Sequence, residues 1–193
     1  MIKVLSDKKI VKEYDIEALC EKNNYDINKL RLSIGSGDVR FSNCINLELE
    51  PSPQTDADVY GDITKGTDFK DETFIEVLML HVIEHIQRMY HSTVFNEIWR
   101  ILKPDGRFII AFPEIISVMK EFIANRYGAR WKMYNSIVFG AQRRNGDNHV
   151  TGIERVDITD MFISAGFKDI KWSQQSVNAI VTLRKGEKLN DYL

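Results

Sequence analysis

An apolar run that breaks into a Gly-x-Gly turn constrains this sequence most. The run Leu30-Arg31-Leu32-Ser33-Ile34 ends at Gly35-Ser36-Gly37. Because glycine has no Cβ, Gly35 and Gly37 can adopt backbone angles closed to other residues, and a ligand can lie against their main-chain N–H groups. Ordinary tight turns contain such pairs too, so the turn alone does not establish a nucleotide pocket.

A second strand that ends in carboxylates supplies an independent signal. The segment from Cys44 to Glu50 is typical of a strand, and in dinucleotide-binding folds an acidic residue here binds the ribose hydroxyls, normally about 20 residues after the glycines. Only the seven residues from Asp38 to Cys44 separate Gly37 from Ile45, which is too few for a full crossover helix. This spacing disfavours NAD and FAD, and it favours a ligand with a ribose but no pyrophosphate.

Length and charge restrict the class of protein. A chain of 193 residues with 44% hydrophobic residues can bury a core without disulfides. The formal net charge of -2 gives no reason to expect nucleic acid as a partner. No apolar stretch approaches the roughly 20 residues that span a bilayer, and the N-terminus lacks a signal-peptide core. We therefore predict a cytoplasmic protein with no membrane partner. The sequence does not indicate its oligomeric state.

Strand and helix patterns alternate along the chain. The first predicted strand ends at residue 34, and further strands are predicted at 45–49, 57–60, 73–80 and 107–112. The predicted helices cover 7–23, 93–102, 116–125 and 156–165. Lys103-Pro104-Asp105-Gly106 is typical of a turn. Residues 169–173 and 179–184 are close enough in sequence to pair as an antiparallel hairpin.

This order predicts an α/β protein with a Rossmann-like, doubly wound and mostly parallel sheet. Helices cover both faces, and the antiparallel hairpin is C-terminal. We expect residues 1–193 to form a single domain with an N-terminal helical extension at about residues 1–28.

Five segments in this order resemble the class I S-adenosylmethionine-dependent methyltransferases over roughly residues 29–184. In chain order they are residues 32–37 (first motif), 46–48 (second), 58–63 (third), 81–85 (the segment after strand four) and 102–106 (the turn before strand five). The short link after the first motif, with Phe139-Gly140-Ala141-Gln142 and then His149-Val150-Thr151-Gly152, is similar to methyltransferase-like proteins of surface-sugar clusters and phages.

The resemblance implies S-adenosylmethionine as the cofactor. Gly35 and Gly37 would make room for its methionine part, and Ser36 would donate to the methionine carboxylate from its main chain or hydroxyl. Glu48 would bind the ribose, in place of the commoner aspartate, with Glu50 as the competing choice.

The same resemblance assigns three more residues to the cofactor pocket. Asp62 would lie on the adenine side as an acceptor, Ile63 would donate to the ring from its backbone, and His81 would line the pocket with its backbone and ring. The alternative for Asp62 is a helix N-cap or turn residue.

His81-Val82-Ile83-Glu84-His85 also has the spelling of a zinc metallopeptidase, His-x-x-Glu-His on a helix. The preceding residues are predicted as a strand that delivers His81 at its tip, which disfavours a peptidase. The resemblance to some small-RNA and quinone O-methyltransferases raises a second metal hypothesis, in which Glu84, His85 and distant His149 converge, but His81 replaces a carboxylate of those enzymes. We expect no metal, with Glu84 and His85 orienting the loop and capping the helix.

His149 is the candidate catalytic residue. It lies in a polar loop, and loops at the carboxyl edge of such sheets carry the acceptor site. A neutral histidine there could take the proton of a hydroxyl acceptor, although an exposed loop histidine without function is the alternative. The aromatic and basic residues between Tyr127 and Phe139 could cover a sugar ring or base, or could belong to the core.

The sequence therefore predicts a methyltransferase that transfers a methyl group from S-adenosylmethionine, with oxygen of a small-molecule or carbohydrate-like acceptor as the expected target. The alternative from another class is a non-catalytic S-adenosylmethionine-binding module that acts through a partner.

Overall fold

The computed structural model describes residues 14–53, 55–124, 131–142 and 147–188. The first half of the predicted N-terminal helix, residues 7–13, lies outside these ranges, as do Tyr127 and Arg130 of the aromatic and basic run. Within the described part of the chain, no helix is long and apolar enough to cross a membrane.

Seven strands form one sheet in the order β3-β2-β1-β4-β5-β7-β6. The strands are β1 (Arg31–Ile34), β2 (Cys44–Glu48), β3 (Val59–Tyr60), β4 (Phe74–Leu80), β5 (Leu102–Pro113), β6 (Phe167–Gln175) and β7 (Asn178–Lys185). The first five pair in parallel, whereas β7 is antiparallel to both β5 and β6. The predicted mostly parallel sheet with a C-terminal antiparallel hairpin is confirmed.

Five α-helices accompany the sheet in the described residues: α1 (Ile16–Asn23), α2 (His91–Ile101), α3 (Ile115–Ala124), α4 (Trp131–Phe139) and α5 (Arg155–Ser164). Asp15 caps α1 by accepting from Ala18 N at 3.0 Å, and Glu154 caps α5 through Val156 N and Asp157 N. Gly166 follows α5 with φ 94°, the left-handed conformation expected after a helix. The sequence interpretation did not include α4 as a helix.

The main core lies on one face of the sheet. Side chains alternate along a strand, so the apolar residues of one parity share a face. Leu32, Leu47, Val77 and Phe108 belong to this set, and all are 1% exposed or less. They pack in one cluster with residues of α1, α2 and α5, including Cys20, Phe95 and Phe162. Near-continuous apolar burial of β4 agrees with a parallel strand covered on both faces.

The link from β1 to β2 contains no helix. Residues 35–43 connect the two parallel strands, and Asn46, on the face opposite the main core, donates to the carbonyls of Val39 and Asp56 at 3.1 and 3.2 Å. Arg40 in the link pairs with Asp56 and Asp58 at 2.7 and 2.6 Å. The sequence predicted that no full crossover helix fits between β1 and β2. The link itself covers this part of the sheet instead.

The predicted turn at Lys103–Gly106 lies inside β5 as a bulge. Register partners jump from Phe74↔Leu102 to Glu76↔Arg107, so the four residues 103–106 of β5 lie opposite the single residue Ile75 of β4. Asp105 has φ 55°, and a Cβ on Gly106 would lie 2.7 Å from the carbonyl oxygen of Lys103. The turn chemistry is thus present, but continued pairing of β5 makes it part of the strand.

A buried carboxylate ties together three neighbouring strands, β1, β4 and β5. Glu76 of β4 is opposite Arg31 of β1 and Arg107 of β5 in the register. Its side chain is 3% exposed, with Oε1 2.7 Å from Arg31 Nε and Oε2 2.5 Å from Arg107 Nη2, the latter not aligned for a hydrogen bond. These charges lie at the end of the sheet opposite the predicted pocket, so their role is structural.

We predict that Glu76→Gln lowers the free energy of unfolding by about 1–3 kcal/mol, because two arginines lose a buried charged partner. Asp71→Asn is the matched control, since Asp71 pairs with Arg100 at 2.6 Å but is 75% exposed, and it should cost less than about 1 kcal/mol. Urea denaturation measures both. Equal losses in the two variants would contradict the structural role of Glu76.

Candidate cofactor and acceptor site

The sequence-predicted cofactor residues lie together at the carboxyl edge of the parallel strands. Gly35–Gly37 follow β1, Glu48 ends β2, Asp62 and Ile63 follow β3, and His81 follows β4. Because neighbouring parallel strands end at the same edge, residues far apart in sequence become adjacent.

The glycine turn is held open by its backbone conformation. Gly35 and Gly37 have φ of 64° and 63°, which other residues rarely adopt. A Cβ on Gly35 would lie 2.6 Å from Cγ2 of Val82, so the turn packs against the segment after β4, whereas no atom lies within 4 Å of a Cβ position on Gly37. The hydroxyl oxygen of Ser36 is buried and has no hydrogen-bond partner among the described residues. A buried hydroxyl without a partner fits a ligand that accepts from it.

Glu48 is the acidic residue that reaches the glycine turn. Its Oε1 accepts from Gly37 N at 2.6 Å, and its carbonyl accepts from Gly61 N at 2.8 Å. Glu50 is exposed and lies beyond the end of β2. The structure therefore brings the carboxylate of Glu48, and not that of Glu50, to the glycine turn, and ribose recognition by Glu48 stays a prediction.

Asp62 performs the capping role that the sequence left as its alternative. Oδ1 accepts from Thr64 N at 3.0 Å and from the Thr64 hydroxyl at 2.6 Å, and Oδ2 lies 3.0 Å from Lys65 Nζ. Burial raises the pKa of Asp62, but these hydrogen bonds and Lys65 together lower it below its usual range. Ile63 begins the short 3-10 turn that Asp62 caps, and its side chain is buried. A role for Asp62 and Ile63 beside an adenine remains a prediction.

His81 and Glu84 pair with each other in the segment that follows β4. His81 is in the left-handed region with φ 57°, and its N–H donates to Ala111 O at 2.8 Å. Its Nδ1 lies 3.2 Å from Glu84 Oε1, and this hydrogen bond raises the pKa of His81 despite the opposing effect of burial. Glu84 is 2% exposed. The segment 83–85 is one 3-10 turn after a strand, which does not provide the helix that the metallopeptidase motif requires.

The loop that carries His149 folds onto this segment. Val150 N and Thr151 N donate to the carbonyl of Glu84 at 2.9 and 3.3 Å. The rings of His85 and His149 meet edge to face with centroids 4.8 Å apart. The structure thus brings together Glu84, His85 and His149, so that one oxygen and two ring nitrogens lie within 4.8 Å of one another.

The absence of a side chain at Gly140 lets the backbone of the His149 loop lie close to the end of α4. Gly140 has φ 80°, and a Cβ there would lie 1.7 Å from Asp147 O and 2.9 Å from His149 N. His149 N donates to Phe139 O at 3.1 Å, and Gly140 bridges Asn148 in antiparallel fashion. Without a side chain at position 140, the two backbone segments can pass close enough to fix His149.

Both imidazoles are oriented by main-chain carbonyls. His85 Nδ1 lies 3.0 Å from Asn148 O, and His149 Nδ1 lies 2.8 Å from Ile137 O. A carbonyl only accepts, so each Nδ1 donates and each Nε2 carries the lone pair of the neutral ring. Burial lowers the pKa of His149, which favours that neutral ring at neutral pH.

The described part of the aromatic run divides between core and surface. Tyr134 is 2% exposed, and its hydroxyl donates to Glu121 O at 3.1 Å, so it packs between α3 and α4. Phe139 is 50% exposed. Sequence reasoning gave Glu84 a role in orienting the loop, and raised its convergence with His85 and His149 only as a metal hypothesis. It did not predict that Glu84 joins two elements, His81 through its carboxylate and the His149 loop through its main-chain carbonyl.

Comparisons with known proteins agree with the geometry. The sequence model of a family described as "Methyltransferase domain" matches residues 32–110. No curated protein sequence gives a significant match. Among solved structures, one similar chain is a SAM-dependent methyltransferase from Methanosarcina mazei, with 13% identity and a TM-score of 0.58 over 91% of this chain and 99% of that one.

Two other similar structures show the same architecture. A SAM-dependent methyltransferase from Archaeoglobus fulgidus has 12% identity and a TM-score of 0.58, covering 88% of this chain and 92% of that one. A SAM-dependent methyltransferase from Thermotoga maritima, described as a possible histamine N-methyltransferase, has 16% identity and a TM-score of 0.57, covering 88% of this chain and 93% of that one. Likeness at these identities shows the shared fold.

The family match spans β1 to β5, which contain the glycine turn, Glu48, Asp62 and His81 in the order of the methyltransferase motifs. The seven-stranded sheet around them has the same fold as the structurally similar methyltransferases. The matched methyltransferase domain and the shared fold together support assignment to the class I S-adenosylmethionine-dependent methyltransferases.

Proposed function

We propose that this methyltransferase transfers the methyl group to a hydroxyl oxygen of a small-molecule or carbohydrate-like acceptor. The observation that carries the proposal is the orientation of His149. Its Nδ1 donates to Ile137 O at 2.8 Å, so Nε2 is the ring nitrogen with an accepting lone pair. A hydroxyl acceptor must lose a proton during transfer, and a histidine oriented in this way suits that chemistry.

The cofactor side of the pocket is formed by other residues. Ser36 supplies an unpartnered buried hydroxyl, the open space beside Gly37 lets a ligand approach the backbone, and Glu48 presents a carboxylate at the same edge. When bound, S-adenosylmethionine supplies the activated methyl group. The protein contributes chiefly alignment, because in-line displacement at a sulfonium needs the acceptor oxygen placed opposite the leaving sulfur.

His149 belongs to the acceptor side in this proposal. Its loop joins the segment 81–85 through Glu84, and that segment packs against Gly35 through Val82. His149 is thus connected to the cofactor turn through one intervening segment, and no described contact links it directly to Gly35–Gly37. Cofactor binding and acceptor activation should therefore be separable by mutation.

We predict that Glu48→Ala weakens binding of S-adenosylhomocysteine by about 1.5–3 kcal/mol, the range for hydrogen bonds that involve a charged group. Glu50→Ala is the matched control and should leave the dissociation constant unchanged, because Glu50 is exposed beyond β2. Isothermal titration calorimetry measures both. An unchanged affinity in Glu48→Ala would show that the ribose is bound elsewhere.

We predict that His149→Ala lowers turnover by about 10²–10⁴-fold, as expected for loss of a general base, and leaves S-adenosylhomocysteine affinity nearly unchanged. The assay is S-adenosylhomocysteine release with a panel of hydroxylated acceptors that includes free and nucleotide-linked sugars. A variant that loses cofactor binding would contradict the acceptor-side assignment. Cofactor binding by the parent protein without turnover on any acceptor would favour the non-catalytic binding module.

A further inference from the structure

The helices α3 and α4 expose a large share of the apolar side chains on the surface of this protein. Among the described residues, 17 large apolar side chains are exposed, and seven of them belong to these two helices. The seven are Ile116, Met119, Phe122, Ile123, Met133, Val138 and Phe139. Because apolar surface is unfavourable in water, such a concentration marks a place where another surface is bound.

The helix α3 is apolar on two sides. Val118 is 2% exposed and packs in a small cluster with residues of α4 and of the turn between β6 and β7. Ile116, Met119 and Ile123 follow one another at spacings of three and four residues, so they share the side of the helix that lies away from Val118. Their exposures are 39%, 52% and 63%. The cluster covers only the first of these two apolar sides.

A lysine adjoins the exposed apolar side of α3. Lys120 lies four residues after Ile116 and three before Ile123, so the three positions are neighbours on the helix surface. Lys120 is exposed and has no ion-pair partner among the residues that the structure describes. Lysine is depleted from the centre of protein–protein interfaces. At a bilayer surface, by contrast, its stem can lie along apolar groups while the ammonium meets lipid phosphates.

The charge of this part of the sequence is positive within an acidic chain. From Ile115 to Phe139 there are four Lys or Arg residues and one Glu, whereas the whole chain has a net charge of -2. The carboxylate of Glu121 lies 3.4 Å from the buried hydroxyl of Tyr134, between the two helices. The exposed charges in the described part of α3 and α4 are therefore the cations Lys120 and Lys132. Basic helices with an apolar side are typical of proteins that bind anionic lipid surfaces.

We propose that α3 and α4 dock this protein on the surface of an anionic phospholipid bilayer. Ile116, Met119 and Ile123 enter the boundary between headgroups and acyl chains, and Lys120 and Lys132 pair with lipid phosphates. The sequence-based expectation of no membrane partner depended on overall net charge and on the lack of a spanning stretch. Neither observation tests a helix that lies in the plane of the surface.

Other partners fit these residues less well. Symmetric packing of α3 from two copies would bring both Lys120 side chains into one apolar interface, with no acidic side chain exposed on the described part of either helix to pair with them. A nucleic acid would meet the cations, but the aliphatic side chains of Ile116, Met119 and Ile123 neither stack on bases nor donate to phosphates. An anionic bilayer uses both the apolar and the basic groups.

Cosedimentation of the full chain with phospholipid vesicles tests the proposal. We expect binding to an equimolar mixture of phosphatidylcholine and phosphatidylglycerol, little binding to phosphatidylcholine alone, and weaker binding as salt screens the charges. Ile123→Ser should weaken partitioning by about fivefold or more, because an apolar side chain no longer enters the bilayer. Lys120→Gln should weaken it by about fivefold, the contribution of one basic residue near an anionic surface.

Two exposed residues outside these helices provide matched controls. Ile163 of α5 is 45% exposed, and Lys171 of β6 is exposed as well. Ile163→Ser and Lys171→Gln should therefore bind the anionic vesicles like the parent protein. Unchanged affinity for S-adenosylhomocysteine in all four variants confirms that they are folded, since none of these side chains belongs to the cofactor residues.

Several results would overturn the docking surface. One is a parent protein that does not sediment with the anionic vesicles at low salt, and another is equal partitioning of Ile123→Ser and Ile163→Ser. A dimer in light scattering that Ile123→Ser dissociates, without vesicle binding, would assign these helices to a second copy. Binding of single-stranded RNA without vesicle binding would assign them to a nucleic acid. The proposal does not rest on the methyl acceptor, because turnover of a soluble hydroxylated acceptor is measured without vesicles.

Discussion

Parallel pairing of β1 with both β2 and β4 is the constraint on which the site depends. Ile34 is opposite Leu47 and Met79 in the register, so the three chains leave the sheet at one edge. The glycine turn then meets Glu48 on one side and Val82 on the other. A shift of one residue in any of these strands would move the apolar side chains to the wrong face as well as separating the site. The register that buries the core therefore also positions the residues of the pocket.

The short connection between β1 and β2 shows how a parallel pair can form without a crossover helix. Nine residues, 35–43, can span about 30 Å when extended, enough to return along a strand of four or five residues. The polar groups of such a link need partners, and Asn46 and the aspartates that bind Arg40 supply them. The positive φ of Gly35 and Gly37 lets the chain turn immediately after the strand. The same geometry leaves main-chain groups near a ligand.

Local patterns predicted most elements, whereas long-range contacts determined the rest. Alternation and turn chemistry identified β1, β2, β4 and the C-terminal hairpin, since these signals depend on neighbouring residues. The bulge at Lys103–Gly106 depends on continued pairing with β4 and was predicted only as a turn. Glu48 and Glu50 have the same parity in a strand, so alternation does not separate them, and the contact of Glu48 with Gly37 together with the end of β2 at Glu48 does. The contact between Glu84 and the His149 loop joins residues about 65 positions apart and requires the close approach at Gly140, which no local pattern encodes.

The pKa values of His81 and His149 shift in opposite directions, and their Nδ1 atoms have different hydrogen-bond partners. His81 donates to Oε1 and has a raised pKa, so its charge is matched to the buried anion from the exposed side. His149 uses its donor on a backbone carbonyl, and burial lowers its pKa, so it approaches the same anion as a neutral ring. A neutral imidazole cannot balance the charge of Oε2 with a lone pair. The orientation of each ring, set by the carboxylate for His81 and by a main-chain carbonyl for His149, therefore determines together with burial which of the two favours the charged form at this edge of the sheet.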